Sequence, residues 1–427
     1  MRVVFASHGS LGDLVPFLEI GKVLAADGAA VVVATHEAHR AAVEGSGLTF
    51  APMRPDRPHD PAFHERFMDR RRGAKFVYTD FLSPAIADSD KDLMAATEGA
   101  DILVSVTLAL AAPLVAARRK LPWLSAAFQP AMLYSARDPS KIPGLPLHPR
   151  LPGFNRWLLE KARVATADWV APLIAHRRAE GLGDYPDHPA FLGQHSAGGV
   201  LALYSPLFAP VPADAPPRTV QTGQVLQTGG PACPPDVARF LDAGPPPIVF
   251  TLGSASAHAA RRFFIHSVRH ARSLGARALC LVGRRENLSG LMRSADVFAA
   301  TSAPYHAVFP RAQAVVHQGG IGTIALGVSA GVPMLLTPFA HDQIDNAARA
   351  ARAGLAHTMP LSRYPAAGGR AIARLLADRA LTAALPSAQS KINAENGAQH
   401  AAAKIRDCVQ GASHWDEFSA SEHSSFT

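Results

Sequence analysis

The segment His317-Gln-Gly-Gly-Ile-Gly-Thr-Ile-Ala-Leu-Gly-Val-Ser-Ala-Gly-Val-Pro-Met-Leu-Leu-Thr-Pro-Phe-Ala-His-Asp-Gln-Ile-Asp-Asn346 concentrates groups that can hold an anion. An apolar run ends at His317, and Gly319, Gly320 and Gly322 follow before a helical pattern opens near Thr323. Glycines let backbone amides approach a ligand, and the free N–H groups and dipole of a helix N-terminus favour negative charge, so the pattern suits a diphosphate with no metal. Gly331 stops that helix, Pro333 opens the next apolar run and Pro338 closes it, so His341, Asp342 and Gln343 project past its carboxyl end. Open α/β sheets bind ligands at that end of their strands.

A second glycine-bearing loop, Gly9-Ser10-Leu11-Gly12, precedes Asp13 near the N-terminus. An aspartate there, with Pro16 close behind, is also what a helix N-cap looks like. His36-Glu37-Ala38-His39 lacks the four-residue histidine spacing of a zinc helix, and no third ligand stands out. The GxxxxGK[ST] pattern is absent, which disfavours phosphoryl transfer.

The elements that must position these residues alternate. Arg2 to Ala6 reads as a buried strand, Asp13 to Asp27 as an amphipathic helix with Leu14, Phe17, Leu18, Val23 and Leu24 on one side, and Gly28 as its stop. Ala29–Ala34 is a strand, His36–Glu44 a helix and Leu48–Ala51 a strand, which implies a parallel sheet. The pattern resumes at Ile102–Val106 and Trp123–Ala127, while 54–100 and 137–195 are irregular and read as substrate-contacting loops and helices. Prolines crowd between Ala209 and Pro247 and mark a domain boundary. A second alternating set follows: Ile248–Leu252, Arg262–Leu274, Ala278–Val282, Ala314–His317, Thr323–Ala330, Met334–Thr337 and Asn346–Ala353. Two doubly wound domains in series result.

The 427 residues allow two to three domains, and 48% hydrophobic with 18% charged residues excludes a disordered chain or a charged coiled coil. The longest apolar run, near Ile102–Ala117, carries Ser105, Thr107 and Pro113, so no membrane span is expected. Cys233, Cys280 and Cys408 form no CxxC pair, and the chain reads as cytosolic. A net charge of +8 comes from short scattered groups such as Arg70-Arg71-Arg72 and Arg118-Arg119-Lys120. These read first as solvated faces, then as contacts to an anionic inner-membrane surface or acidic substrate, with nucleic acid last.

Gly9–Pro16, Thr251-Leu-Gly-Ser254, Ala303-Pro304 and the whole 317–346 block, in that order, resemble the nucleotide-sugar-dependent glycosyltransferases of the GT-B fold, family 1. Within that family the chain is most similar to the bacterial rhamnosyltransferases of rhamnolipid biosynthesis, with antibiotic and sterol glycosyltransferases further off. The resemblance implies an α/β GT-B architecture, two doubly wound, Rossmann-like domains facing across a cleft. Residues 1–210 would bind the acceptor, 211–247 form a Pro-rich linker and 248–385 bind the nucleotide sugar. Residues 386–410 would be a C-terminal helix packing back on the first domain, and 411–427 a disordered tail.

It also implies inverting, metal-independent hexosyl transfer from a dTDP- or UDP-sugar, with no cofactor beyond that co-substrate. The first reading is rhamnose from dTDP-rhamnose moved to a hydroxyl of a small hydrophobic acceptor such as a hydroxy fatty acid ester. Glucosyl or deoxysugar transfer to a sterol, polyketide or antibiotic aglycone, a catalytically silent nucleotide-sugar-binding partner and a nucleotide-sugar epimerase remain open. Carried onto this chain, Asp13 of Gly12-Asp13 is the catalytic base, accepting the acceptor's proton as the new bond forms. Ser254, His317, Gly319, Gly320, Gly322 and Thr323 hold the diphosphate, and Asn346, one turn after Asp342, turns its amide into the same place. His341, Asp342 and Gln343 meet the sugar, and the backbone near Ser302 and Ala303 reads the base edge. His8, Phe128 and Gln129 lie on the acceptor side; Phe81, Met132, Phe154, Trp157 and Trp169 are further candidates there, with core packing the competing role. His8-x4-Asp13 also matches the His–Asp pair of glycerolipid acyltransferases, but nothing else marks an acyl-donor site.

Overall fold

Apolar runs rich in valine, isoleucine and leucine without polar alternation suit strands covered on both faces, which parallel sheets require. The computed structural model describes residues 1–411 apart from 59, 228, 254–260 and 292–293. Seven such strands build the first sheet: β1 (Arg2–Ala6), β2 (Ala30–Thr35), β3 (Thr49–Pro52), β4 (Ile102–Val106), β5 (Trp123–Ala127), β6 (Val200–Ala202) and β7 (Thr219–Gln221). Their order is β3-β2-β1-β4-β5-β6-β7, parallel throughout, with Val4 opposite both Val32 and Leu103. The second sheet holds β8 (Ile248–Thr251), β9 (Ala278–Leu281), β10 (Val297–Ala300), β11 (Ala314–His317), β12 (Met334–Leu336) and β13 (His357–Thr358), ordered β10-β9-β8-β11-β12-β13. Val249, Leu279 and Val315 face one apolar layer of this sheet while Phe250, Cys280 and Val316 face the other. Both sheets are therefore doubly wound, and each has its order reversal at its centre.

Five helices matter to the site: α1 (Leu11–Ala26), α2 (Pro61–Phe67), α3 (Ile321–Ser329), α4 (Gln343–Arg352) and α5 (Gly397–Gln410). The C-terminal helix expected over 386–410 is divided: Arg379–Asn393 already contains Pro386, and α5 begins afresh after Asn396. Ala398, Ala401, Ala402 and Ile405 of α5 enter the core of the first domain, and α5 packs on α1. The stretch 211–247 is more than a linker. It supplies β7 and the helix Pro235–Asp242. Its prolines sit where they cost no backbone bond, for example at the first position of that helix. The helix expected over His36–Glu44 is a 3₁₀ turn, Glu37–His39, followed by Arg40–Glu44. From residue 412 the expected tail lies outside the described residues.

Side chains tie the domains to each other. Arg349 of α4, only 2% exposed, pairs with Asp345 on its own helix and with Asp138 of the first domain. The Lys141 amide donates to Asp345 Oδ1 at 2.8 Å. Glu395, just before α5, accepts from the Ser205 hydroxyl and, at 2.6 Å, from the Gln224 amide. Among the described residues no helix is long and apolar enough to cross a membrane.

Candidate functional site

The central reversal of the second sheet falls between β8 and β11, and the loops leaving those strands form a cradle. Gly319 has φ +90°, a conformation that side-chain-bearing residues rarely adopt, and Gly320 caps α3 in extended backbone. The first-turn amides of α3 at Ile321, Gly322 and Thr323 thus point out of the helix end without intrahelical acceptors. Gln318 closes this cradle. Its amide nitrogen packs against Gly253 and Gly320, and its Oε1 is buried with no partner.

The side chain of His317, expected at the diphosphate, is turned into the protein. Its side chain is fully buried, Nδ1 accepts from the Gly319 amide at 3.2 Å, and Nε2 faces Met334 Sδ at 3.4 Å. Burial holds its pKa down to about 3, so it is a neutral packing residue that shapes the loop from beneath. Its neighbour Gln318, itself 7% exposed, is the side chain turned toward Gly253 and Gly320. Ser254, expected opposite, lies outside the described residues. Ser302 is exposed and Ala303 buried in the loop after β10.

Beyond β12 the chain turns sharply into α4. His341 sits at φ +53°, an uncommon conformation for histidine, and its Nε2–H donates across the cleft to the Phe67 carbonyl at 2.7 Å. Asp342 is partly exposed, and its Oδ2 accepts from Asn346 Nδ2 at 2.6 Å. Its pKa is pushed up to about 7, first by burial and next by the charge of Asp13. Asn346 also reaches the Gly319 carbonyl at 3.3 Å, while its Oδ1 is buried and unpartnered beside the cradle. Gln343 is differently engaged: its Oε1 accepts from the amides of Phe339 and Ala340 and so holds the turn.

Asp13 arrives from the other domain, in the first turn of α1 at the end of β1. Its Oδ2 accepts from the Ser10 amide at 2.6 Å and the Ser10 hydroxyl at 2.9 Å. Gly9 is required beside it, because a Cβ there would lie 2.1 Å from the Asp13 Cβ. The helix-cap reading of Asp13 is thus physically real, yet the carboxylate is only partly buried. His8 is 2% exposed with both ring nitrogens unpartnered, so the His–Asp pair of an acyltransferase is not formed. Burial, then the neighbouring His36 and Arg57, push its pKa well down. His36 faces the His8 and Pro55 carbonyls and is held to about 4, mainly by burial.

Residues 60–76, unreadable in sequence, bring aromatic rings up to His341 of the second domain. Phe63 packs against Phe67, Phe76 and Phe81 with ring centroids 5.1–5.9 Å apart, and Phe67 also meets His341 at 5.5 Å. Arg57 stands over the Phe67 ring at 4.8 Å. Phe128 is 3% exposed against Phe17, and Gln129 is buried beside it; Met132 and Trp169 pack on the same core. Phe154 and Trp157 stack on each other at the surface, 43% and 54% exposed. Among the described residues Asp90, His176 and Glu180 stand close enough to share an ion, but Arg118 occupies that space, 2.6 Å from Asp90 and 3.0 Å from Glu180.

Residues 283–409 match the family model described as erythromycin biosynthesis protein CIII-like, C-terminal domain. O-mycaminosyltylonolide 6-deoxyallosyltransferase of Streptomyces fradiae is 30% identical over 433 residues, covering 96% of this chain and 98% of that protein. Among solved structures, the glycotransferase of kitacinnamycin superposes with a TM-score of 0.72 at 21% identity, covering 95% of this chain and 98% of its own. The spinosyn rhamnosyltransferase SpnG complexed with thymidine diphosphate gives 0.67 at 20% identity, with 95% and 99% covered. At those identities the structures speak for the fold.

Proposed function

The chain belongs to the family 1 nucleotide-sugar glycosyltransferases of the GT-B fold, and on that premise we propose that it moves rhamnose from dTDP-rhamnose to a hydroxyl of a small hydrophobic acceptor such as a hydroxy fatty acid ester. What supports the catalytic part is that Asp13 of the first domain and Asp342 of the second belong to the region where His341 bonds the Phe67 carbonyl across the domains, and that the charge of Asp13 helps to raise the Asp342 pKa. A sugar held by its diphosphate on the α3 amides and Gln318 presents its anomeric carbon to that region. Asp13 accepts the acceptor's hydroxyl proton while the oxygen bonds to the anomeric carbon and the bond to the diphosphate breaks. The departing negative charge is received by the amides of the cradle, which are oriented before reaction. Attack opposite the leaving group inverts the anomeric centre.

Toward the sugar the second domain offers Asp342 and the remaining ring nitrogen of His341, while Gln343 Oε1 is committed to the turn. Phe63 and Phe67, the partly exposed rings of the cluster they form with Phe76 and Phe81, suit an apolar acceptor. The name of the Streptomyces fradiae relative favours a second reading, deoxysugar transfer to a polyketide aglycone. Incubation with dTDP-rhamnose, dTDP-glucose and UDP-glucose, each against a hydroxy fatty acid ester and a macrolide aglycone, separates the two by product mass. The first reading requires a rhamnosyl lipid; an aglycone product alone supports the second. Donor hydrolysis with no glycosylated product from either acceptor would defeat both.

A further inference from the structure

Leu151, Phe154, Trp157 and Val164 are half of the large apolar side chains exposed among the described residues, and all four belong to the helix Pro152–Ala165 or to the residue before it. Positions 154, 157, 161 and 164 recur at helical spacing, so Phe154, Trp157, Lys161 and Val164 share one face. The opposite side is the one that packs: Asn155 and Leu159 are buried, and Leu159 enters the core of the first domain. Outside, Phe154 and Trp157 stack with ring centroids 5.8 Å apart. A single exposed apolar residue needs no explanation, whereas a contiguous group on the outward face of one helix marks a surface that something covers.

Charge says what covers it. Glu160, the one acid of this helix, is bound to Arg163 at 3.1 Å, and Arg163 also meets Asp187 at 2.8 Å. Just past the helix, Asp168 is met by Lys75 at 3.7 Å. Arg150, Arg156 and Lys161 are exposed and form no ion pair among the described residues, so the free charge around the apolar stripe is positive. A second copy seated face to face would set these cations against each other. The basic groups that stand out in the sequence offer no such combination. Arg118 is held by Asp90 and Glu180, Arg119 donates to the Met94 carbonyl, and Arg70-Arg71-Arg72 has no large exposed apolar side chain beside it. We propose that the helix Pro152–Ala165 lies on an anionic phospholipid surface, with Phe154 and Trp157 among the headgroups and Arg150, Arg156 and Lys161 on lipid phosphates. Aromatic rings at headgroup depth, flanked by cations whose aliphatic stems reach outward, are the anchors of interfacial helices. At 14 residues the helix is too short to span a bilayer and lies in its plane. The contact is independent of which sugar and acceptor the cleft takes.

The test is co-sedimentation of the full chain with vesicles of phosphatidylcholine alone and of phosphatidylcholine mixed with phosphatidylglycerol. Wild-type protein should partition onto the mixed vesicles at least about tenfold better than onto the neutral ones in low salt, and lose most of that preference in high salt. Arg156→Gln with Lys161→Gln should lower partitioning about 25-fold, about fivefold for each cation. Phe154→Ser with Trp157→Ser should lower it about tenfold or more. Val220→Ser, which removes an exposed apolar side chain on β7, should sediment like the wild type. Circular dichroism melts establish that all the variants are folded. Absence of wild-type protein from the mixed vesicles in low salt overturns the proposal, and so does partitioning that survives both double substitutions. Self-association in sedimentation velocity that the Phe154 and Trp157 substitutions abolish, without vesicle binding, gives this face to a second copy and overturns it as well.

Discussion

Asp13→Asn separates the two roles that the structure gives one carboxylate. The amide oxygen of asparagine still accepts from the Ser10 amide and hydroxyl, now at 2.6 and 2.9 Å from Asp13 Oδ2, so the start of α1 is kept. Changes at helix caps cost about 1 kcal/mol, and asparagine is itself a good cap, so the unfolding midpoint should barely move. Proton acceptance is lost outright. General-base catalysis contributes roughly 100- to 10,000-fold, so kcat should fall by about two to four decades, or about 2.7–5.4 kcal/mol of activation free energy. A second readout comes from the other side of the cleft. Asp342 is raised to about 7 first by burial and then by the charge of Asp13, so removing that charge should lower the Asp342 pKa. Donor affinity, measured by calorimetry across pH 5.5–8.5, should weaken in the wild type as Asp342 ionises near pH 7 beside the diphosphate (on the scale of the shift itself), and that limb should move to lower pH in the variant. Turnover within a few-fold of wild type, in a protein with unchanged melting, would refute the reasoning. Asp13 would then be a cap alone, and His8, with both ring nitrogens unpartnered, would be the next base to examine.

Gln318→Leu should raise the donor's KM by about tenfold, about 1.4 kcal/mol, in initial-rate measurements; an unchanged KM would remove Gln318 from the cradle. Acid should destabilise the fold through His36 and His317, held to about 4 and about 3 against 6.5 when unfolded. Between those values the unfolded chain binds more protons, so the stabilisation is complete above pH 6.5 and is lost as pH falls below it, roughly 3–4 kcal/mol for the pair from pH 7 to 5. Equal urea midpoints at pH 7 and pH 5 would contradict this. Arg349→Met leaves Asp345 buried and unpaired and should cost about 3–5 kcal/mol in urea unfolding, whereas a wild-type midpoint would show the domain tie to be unimportant. Because the cradle relies on amides and Gln318, transfer should proceed unchanged in excess EDTA; loss of rate restored by Mg2+ would make Asp342 or Asp13 a metal ligand.

What could be read from sequence follows how locally each feature is encoded. β1, β4, β5 and β11 are runs of four or five residues with a single polar member each and are visible as such. β6, β7, β10 and β13, two to four residues long, carry too short a pattern, and they pair only because a neighbouring strand offers an edge. The glycines of the cradle and the turn into Asp342 were likewise visible, since backbone conformation there is dictated by residue type. Side-chain direction was not. Successive residues leaving a strand point to opposite faces, so in the pair His317-Gln318 only one can face the cradle, and residue chemistry alone favours His317. The turn at Gly319 decides between them: with its φ of +90° the Gly319 amide folds back onto His317 Nδ1, which fixes the imidazole inside and leaves Gln318 facing Gly253. Arg57, Phe63 and Phe67 had no local signal at all, because their place depends on α2 reaching across to His341. A motif therefore identifies the backbone of such a site, while the side chains that select its ligands are fixed by contacts between segments distant in sequence.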